Sequence, residues 1–522
     1  MIWFKLKKLK RIRVIISLIA FISISFLFID PWNIIPSSVS VFIVSSQLIP
    51  TLLKIFNYSG TFLIALIIIL GLTITFGRVY CSTLCPLGTL QDIIIYIKKK
   101  IKRNKIFQYT KPSYIFHYSI FIAAVIFTIG GSLTFLNLSE PFSNFGRIMT
   151  STVEPIITIV NNLFAKVLSQ FNSYALYTIP LRSIEIGVLI SALLFLSLIV
   201  YMSYNYGRLF CNSLCPAGAL LGIISRVSMF KIVIDKNSCN NCGACEKVCK
   251  ANCIDSETKQ LDFAACVGCF NCIKSCPMEG IVYSNKSRLR TKDFFEFDPL
   301  RRKLFKEIVA PAIGLTLTSF KLMDSTDVKS GYDVNKKKPI CPPGSISVEH
   351  FSNLCTACHL CVSACPTQVL TPSLVEYGLN GIFQPRMDYS ASYCNYDCNV
   401  CSQICPSGAI VPVDIESKKL IQIGKSVFVK EDCVVVTKKK DCAACSEHCP
   451  TKAVYMVPYE GNLKIPEQNN DLCIGCGACE HACPTTPRKA IYVVPNLIHQ
   501  RAAKPKPGKQ EKVFDSRQEF PF

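Results

Sequence analysis

The chain has 522 residues, room for two to four domains, and half of them are apolar. A positive mean hydropathy of +0.34 excludes an ordinary soluble protein and predicts partial residence in a bilayer. The net charge of +22 would suit nucleic acid, but the Lys and Arg residues gather beside apolar runs, at Lys5–Arg13 and Lys98–Lys105, with no RNA-stacking or helix-turn-helix pattern, so nucleic acid is excluded as a partner.

The first apolar run, Val14–Ile29, follows a basic flank, which predicts a cytoplasmic start and puts Asp30, Pro31 and Trp32 at the far side. No small-residue cleavage site follows it, so it does not read as a signal peptide. Val39–Phe56 carries Lys54 and several serines and is predicted to lie at the interface. Thr61–Phe76 returns to GRVYCSTLCPLG and a basic run, Ser113–Leu136 goes out, and Ile184–Tyr204 comes back to GRLFCNSLCPAG. The simplest topology is four transmembrane helices with both ends inside, an α-helical membrane domain over residues 1–230.

That domain is internally duplicated. Residues 77–94 align without gaps on 207–224 with ten of eighteen positions identical. A parallel repeat brings Cys81, Cys85, Cys211 and Cys215 to one membrane face, where four thiolates suit one more metal centre; two thiol–disulfide pairs or structural cysteines are the alternative. Arg78 and Arg208, just before these motifs, are expected to be membrane-edge anchors, with balancing of cluster charge as the other reading. Asp30-Pro31 and Glu140-Pro141 sit at equivalent places in the two repeats, as helix-end caps or as proton acceptors. His117 is the one histidine in a predicted span, which excludes a bis-histidine haem pair and leaves it as a packed residue.

Residues 231–290 carry CNNCGACEKVCKANC and CVGCFNCIKSCP, two runs with the bacterial two-cluster ferredoxin spacing, in which each fourth cysteine serves the other cluster. Cys239, Cys242, Cys245 and Cys276 are predicted to hold one 4Fe-4S cluster, and Cys266, Cys269, Cys272 and Cys249 the second. Structural zinc is the rival, but its sites use two ligand pairs rather than three cysteines at i, i+3 and i+6. Disulfides are disfavoured for regularly spaced intracellular thiols. Cys253 lies outside the eight ligands and is expected to be a small buried residue.

On four spans, two GRxxCxxLCPxG motifs and the following two-cluster ferredoxin, residues 1–290 resemble the NapH family of quinol-dehydrogenase ferredoxins and its NosR and CcoG polyferredoxin relatives. The resemblance implies a multi-pass protein of the bacterial cytoplasmic membrane that draws electrons from the quinone pool, with menaquinol or ubiquinol as substrate. Lys250 departs from the proline usual at that place, and the flavin-attachment domain of full-length NosR is absent.

Residues 297–340 hold Arg301-Arg302, an apolar stretch and a Pro-containing linker, which together read as an internal twin-arginine export signal or as a surface amphipathic helix. Four further runs follow in residues 341–495: Cys355, Cys358, Cys361, Cys365; Cys394, Cys398, Cys401, Cys405; Cys433, Cys442, Cys445, Cys449; and Cys473, Cys476, Cys479, Cys483. Sixteen cysteines make four clusters, six in the whole chain, in α+β ferredoxin-like domains. Spacing leaves open which fourth cysteine joins which cluster, and Cys341 is left over. Residues 298–495 resemble NapG, the exported four-cluster partner of NapH, which implies a periplasmic C-terminal half. Residues 496–522 read as a flexible basic tail.

No dinucleotide fingerprint or Walker loop occurs, so NADH and ATP are excluded as direct substrates, and no nucleophile is paired with a base. Two function classes remain. One is a quinol-oxidising conduit to a periplasmic terminal reductase or electron-carrier protein; the other, implied by the CcoG resemblance, is a redox assembly factor for another metalloenzyme. Four extra clusters favour the conduit, since only a distant partner needs a long relay.

Overall fold

A computed structural model describes residues 6–30, 32, 34–54, 60–101, 114–235, 237–285 and 338–504. The Arg301-Arg302 segment, the linker after it and the basic tail from 505 lie outside the described residues. Helix α1, Leu6–Ile29, is roughly 36 Å long at 1.5 Å per residue, enough to cross a ~30 Å hydrocarbon core. It exposes Ile15, Ile19, Ile22 and Phe26 while burying Arg13 and Ser17. Such an inverted face, apolar outward and polar inward, fits lipid as the surrounding solvent.

The rest of the membrane domain follows the same rule. After α2 (Ser37–Ser45), α3 (Leu48–Lys54) and α4 (Gly60–Phe76), the first cysteine motif forms the one-turn α5 (Tyr80–Thr83) and the start of α6 (Pro86–Ile101). The second half repeats this with α7 (Tyr114–Ile129), α8 (Thr134–Ser139), α9 (Pro141–Ile148), a π-helical turn at Met149–Val153, α10 (Glu154–Gln170) and α11 (Ile186–Tyr206). The second motif then forms α12 (Leu209–Ser213) and α13 (Pro216–Ser225). Helix α10 exposes Ile156, Ile159, Leu163 and Phe164, and its buried face uses Asn161 and Asn162 to bind the Tyr177 and Ile179 carbonyls at 3.0 and 2.7 Å.

Three expectations change here. The described part of the Val39–Phe56 stretch belongs to a broken pair, α2 and α3 bent by 105°, whose second half is buried against the protein. The Ser113–Leu136 span stops at Ile129, because Gly131 turns left-handed (φ 79°) and the chain restarts as α8. The helices long and apolar enough to cross, among the described residues, are Leu9–Ile29, Pro141–Gln170 and Ile186–Tyr206, with the α2–α3 pair as a fourth; Gly60–Phe76 and Tyr114–Ile129 are shorter. The 141–170 helix escaped the hydropathy reading because Asn161, Asn162 and Lys166 interrupt its apolar stripe.

Each soluble unit is a set of short antiparallel strands around cysteine loops. In the first, β1 (Phe230–Ile234) pairs with β4 (Ile281–Asn285), Phe230 opposite Asn285, and encloses the small β2–β3 hairpin, Ile254–Asp255 with Gln260–Leu261. In the C-terminal unit β5 (Leu370–Pro372) pairs with β6 (Pro385–Met387), β8 (Val454–Pro458) with β9 (Lys464–Gln468), and β7 (Ile421–Phe428) with β10 (Ile491–Arg501). The two units sit at opposite ends of α1. Leu9 packs into the core that holds Cys266, Cys269 and Cys272, whereas Ile24, Leu27 and Phe28 pack with Cys358, Leu360 and Ile404.

Candidate metal centres

In the first ferredoxin, left-handed residues such as Gly243 (φ 66°) curl each loop so that successive cysteines face one centre. Cys239, Cys242, Cys245 and Cys276 line one cavity; Cys249, Cys266, Cys269 and Cys272 line another. These are the two sets the spacing predicts, with the fourth cysteines exchanged between runs. The thiols stand around the wall of a cavity, the shape a cuboidal cluster needs, whereas one zinc ion would gather its sulfurs to about 2.3 Å. Cys253 is buried as expected, yet it lines the second cavity too: its Sγ lies 3.5 Å from Cys249 Sγ and its N–H donates to that sulfur at 3.4 Å. The Cys253 side chain, ahead of backbone donors, holds the Cys249 thiol down to about 7.

Cys81, Cys85, Cys211 and Cys215 are brought together at the junction of the repeats, close enough that each lies in the electrostatic field of the others. The motif explains itself by exchange across the pseudo-twofold. Arg208 Nη1 donates to the Cys81 carbonyl at 2.6 Å, and Arg78 Nη2 donates to the Cys211 carbonyl at 3.0 Å. Gly88 and Gly218 make room for these contacts, since a Cβ at either would overlap the carbonyl oxygen of Cys81 or Cys211. Arg78 and Arg208 are 1% and 0% exposed, so they are not membrane-edge anchors. A guanidinium with five donors can clamp a carbonyl from the opposite repeat, and burial there is what the motif's arginine supplies.

The charge around this site is unbalanced. Asp92 pairs with Arg13 at 2.9 Å, with Arg208 Nε at 2.9 Å and with Lys250 at 3.1 Å. Among the described residues Arg78 bonds only neutral groups besides the cysteines, Asn212 Oδ1 at 2.9 Å and the Ala264 carbonyl at 2.8 Å. Three cations thus share one carboxylate, with Arg78 as a fourth buried cation beside the cysteines, and each unpaired buried charge costs several kcal/mol. Four thiolates carrying an iron–sulfur cluster are anionic, so the residues present fit such a group. Gln91 reaches Cys211 Sγ at 3.6 Å, the Gly218 N–H donates to Cys215 Sγ at 3.3 Å, and His117, packed as expected, bonds the Cys215 carbonyl at 3.0 Å.

Hydrogen bonds tie the membrane domain to both ferredoxin units. On one side Asn212 Nδ2 donates to the Ala251 and Ala265 carbonyls, both at 3.2 Å, and the Arg208 N–H donates to the Lys250 carbonyl at 2.8 Å. Lys250, the departure from proline, therefore clamps the ferredoxin to the membrane repeats. On the other side Lys54 Nζ donates to the Cys405 carbonyl at 2.9 Å, Asn137 to the Cys355 carbonyl at 3.2 Å and Arg147 to the Ala357 carbonyl at 3.4 Å. Glu140 caps α9, its two carboxylate oxygens taken by the N–H groups of Phe142 and Ser143. Asp30 accepts from the Ile35 N–H at 2.9 Å through Oδ2, while Oδ1 is buried without a partner among the described residues.

In the C-terminal unit the folding settles which cysteines meet. Cys405 joins Cys355, Cys358 and Cys361; Cys365 joins Cys394, Cys398 and Cys401. Cys483 joins Cys433, Cys442 and Cys445; Cys449 joins Cys473, Cys476 and Cys479. Neighbouring runs therefore exchange fourth cysteines. Burial pushes the Cys445 and Cys476 thiols up to about 12, so near neutral pH they ionise only against a metal cation. Cys341 stands apart, its Sγ accepting from the Tyr377 hydroxyl at 3.6 Å.

A family model described as a 4Fe-4S binding domain matches residues 58–104 and again 188–234, once on each membrane repeat. A second, described as a 4Fe-4S dicluster domain, matches residues 354–409 and 440–486. YccM of Escherichia coli is similar at 27% identity over 216 residues, 41% of this chain and 53% of YccM. The ferredoxin-type proteins NapG and NapF of the same organism are each 29% identical, over 37% and 30% of this chain and 85% of their own lengths. The chain thus spans about half of YccM and most of the two ferredoxin-type relatives. No solved structure matches. The chain therefore carries domains of the 4Fe-4S binding type in both halves, together with helices long and apolar enough to cross a membrane.

Proposed function

We propose that the protein carries electrons from the quinone pool to a terminal reductase or electron-carrier protein on the periplasmic face of the cytoplasmic membrane. When bound, six 4Fe-4S clusters and a seventh centre at Cys81, Cys85, Cys211 and Cys215 would each take and give one electron. The observation that carries this reading is the position of the four membrane cysteines, hydrogen-bonded through Asn212 and Arg208 toward one ferredoxin while α1 runs on to the other. A relay confined to one face would have no use for that arrangement.

Orientation is supported by the basic residues. Lys10 and Arg13 on α1, and Lys98 to Lys100 on α6, cluster at the end that carries the first ferredoxin, which favours a cytoplasmic place for it and a periplasmic one for residues 341–504. Oxidising quinol yields quinone, two electrons and two protons, so the site needs a proton acceptor. Among the described residues Asp30 keeps a buried carboxylate oxygen without a partner, whereas both oxygens of Glu140 are engaged in capping; Asp30 is the better candidate. Two measurements test the proposal. A reporter fused after Phe522 is expected to be active only in the periplasm, and a reduced menaquinol or ubiquinol analogue is expected to bleach the cluster absorbance of the purified protein. A cytoplasmic reporter, or clusters untouched by quinol, overturns it.

A further inference from the structure

The order of the four C-terminal sites in space differs from their order in the chain. The site of Cys355, Cys358, Cys361 and Cys405 is the one pressed against the membrane domain, through Lys54, Asn137 and Arg147 and through Gly146, where a Cβ would overlap the Cys358 carbonyl. Its neighbour shares its loops, because Cys365 and Cys405 cross over. From that second site the Cys394 N–H donates to the Cys476 carbonyl at 2.9 Å. Tyr389, 4% exposed, lies across the same junction: its hydroxyl donates to the Gly475 carbonyl at 2.6 Å, and its ring fills the space a side chain at Gly477 would need.

The site of Cys473, Cys476, Cys479 and Cys449 is therefore next, although its run is last in the sequence. Cys433, Cys442, Cys445 and Cys483 come after it, joined by the exchange of Cys449 and Cys483 within a core separate from the one holding Cys355 and Cys405. Around this final site Thr437 to Asp441 are exposed and Cys442 is half-buried.

We infer that the relay visits the third, fourth, sixth and fifth cysteine runs in that order, and that electrons leave at the Cys433, Cys442, Cys445 and Cys483 site, with Tyr389 as the positioning residue at the middle junction. The exposed stretch Thr437–Asp441, within the widened spacing between Cys433 and Cys442, is then the docking surface for the acceptor, a soluble protein with an oxidised one-electron centre. At each step one reduced site loses one electron and the next gains it; no proton moves. The exit assignment rests on the proposed outward flow, whereas the adjacency order does not.

Spin–spin coupling between clusters in the fully dithionite-reduced protein tests the order without using quinol. Cys442→Ser is expected to remove the iron of one cluster, to simplify the signal of the Cys473 site and to leave that of the Cys394 site unchanged. Cys398→Ser is expected to alter the signals of both the Cys355 and the Cys473 sites. A change at the Cys394 site in Cys442→Ser means that the runs follow chain order, which overturns the inference. If Cys442→Ser loses more than one cluster, Tyr389→Ala serves instead: it is expected to weaken coupling between the Cys394 and Cys476 sites alone, and unchanged coupling there counts against the order. Quinol-driven reduction of Cys442→Ser then reports the exit. Three C-terminal clusters are expected to fill with electrons while transfer to the acceptor falls at least tenfold; transfer at the wild-type rate overturns the exit assignment, and failure of quinol to reduce the wild type bears only on the donor.

Discussion

Gly218 is the residue at which the repeat is most easily broken. Its missing side chain lets the Cys211 carbonyl and the Arg78 guanidinium approach, so Gly218→Ala is expected to push that carbonyl away and to cost roughly 1–3 kcal/mol through overpacking. Iron per chain and the midpoint of thermal unfolding would show it; an alanine variant with unchanged iron would mean that the close approach is not needed. Asp92 carries a larger penalty. Asp92→Asn leaves Arg13, Arg208 and Lys250 facing one another without a carboxylate, and loss of one partner in such a buried group costs about 3–5 kcal/mol. A midpoint within a degree of the wild type would contradict that. These roles were half legible. The cysteine spacing is a local signal and was readable, but Arg78 and Arg208 bond residues 133 and 127 positions away, and an arginine beside an apolar run looks in sequence like an anchor. For Cys253 burial was legible but its place in the cluster cavity was not, since that depends on a fold that brings both runs together.

Among the elements, the ferredoxin loops were legible because three of the four ligands of each site lie close together in the chain, the widest spread being Cys433 to Cys445, so chain geometry alone brings them together. The membrane helices were less so. Hydropathy finds helices that are apolar all round, and α10 is apolar on one face only, with its polar face turned to the protein. That inversion yields a prediction in which a more hydrophobic residue destabilises. Asn162→Leu removes the donor to the Ile179 carbonyl and the acceptor for the Ile179 N–H at 2.8 Å, leaving both backbone groups buried, at a cost of about 1–3 kcal/mol for each. Hydrogen exchange at residues 177–180 is expected to rise in the variant. Protection equal to the wild type would show that the loop is held by other contacts. The bend between α2 and α3 and the stop at Gly131 were hidden for a different reason: each depends on what the next segment packs against, Lys54 on the Cys405 loop in the first case and α8 against α9 in the second.

At the scale of the whole molecule, the two ferredoxin units are separated by the length of α1, and the four membrane cysteines are what lies between them. If that site holds a cluster, the purified chain carries about 28 iron atoms, seven centres of four, and Cys211→Ser carries about 24. The variant also distinguishes a bridge from a structural site. Reductant supplied only at the face of Cys242, the one exposed cysteine of the first ferredoxin, is expected to reduce the C-terminal clusters of the wild type reconstituted in vesicles. In Cys211→Ser it is expected to reduce the first ferredoxin and stop there, because Asn212 and Arg208 then connect that unit to a site without a redox centre. The surplus of buried cations sharpens the expectation: with the anionic cluster gone, Arg78 keeps its charge and loses its counter-charge while Arg208 is left to share Asp92 with Arg13 and Lys250, so the variant is expected to unfold at lower temperature as well as to block the relay. Cys211→Ser that kept its stability and passed electrons across the vesicle would show that the repeats are bound together without a cluster, and that the two ferredoxin sets serve separate partners on the two faces.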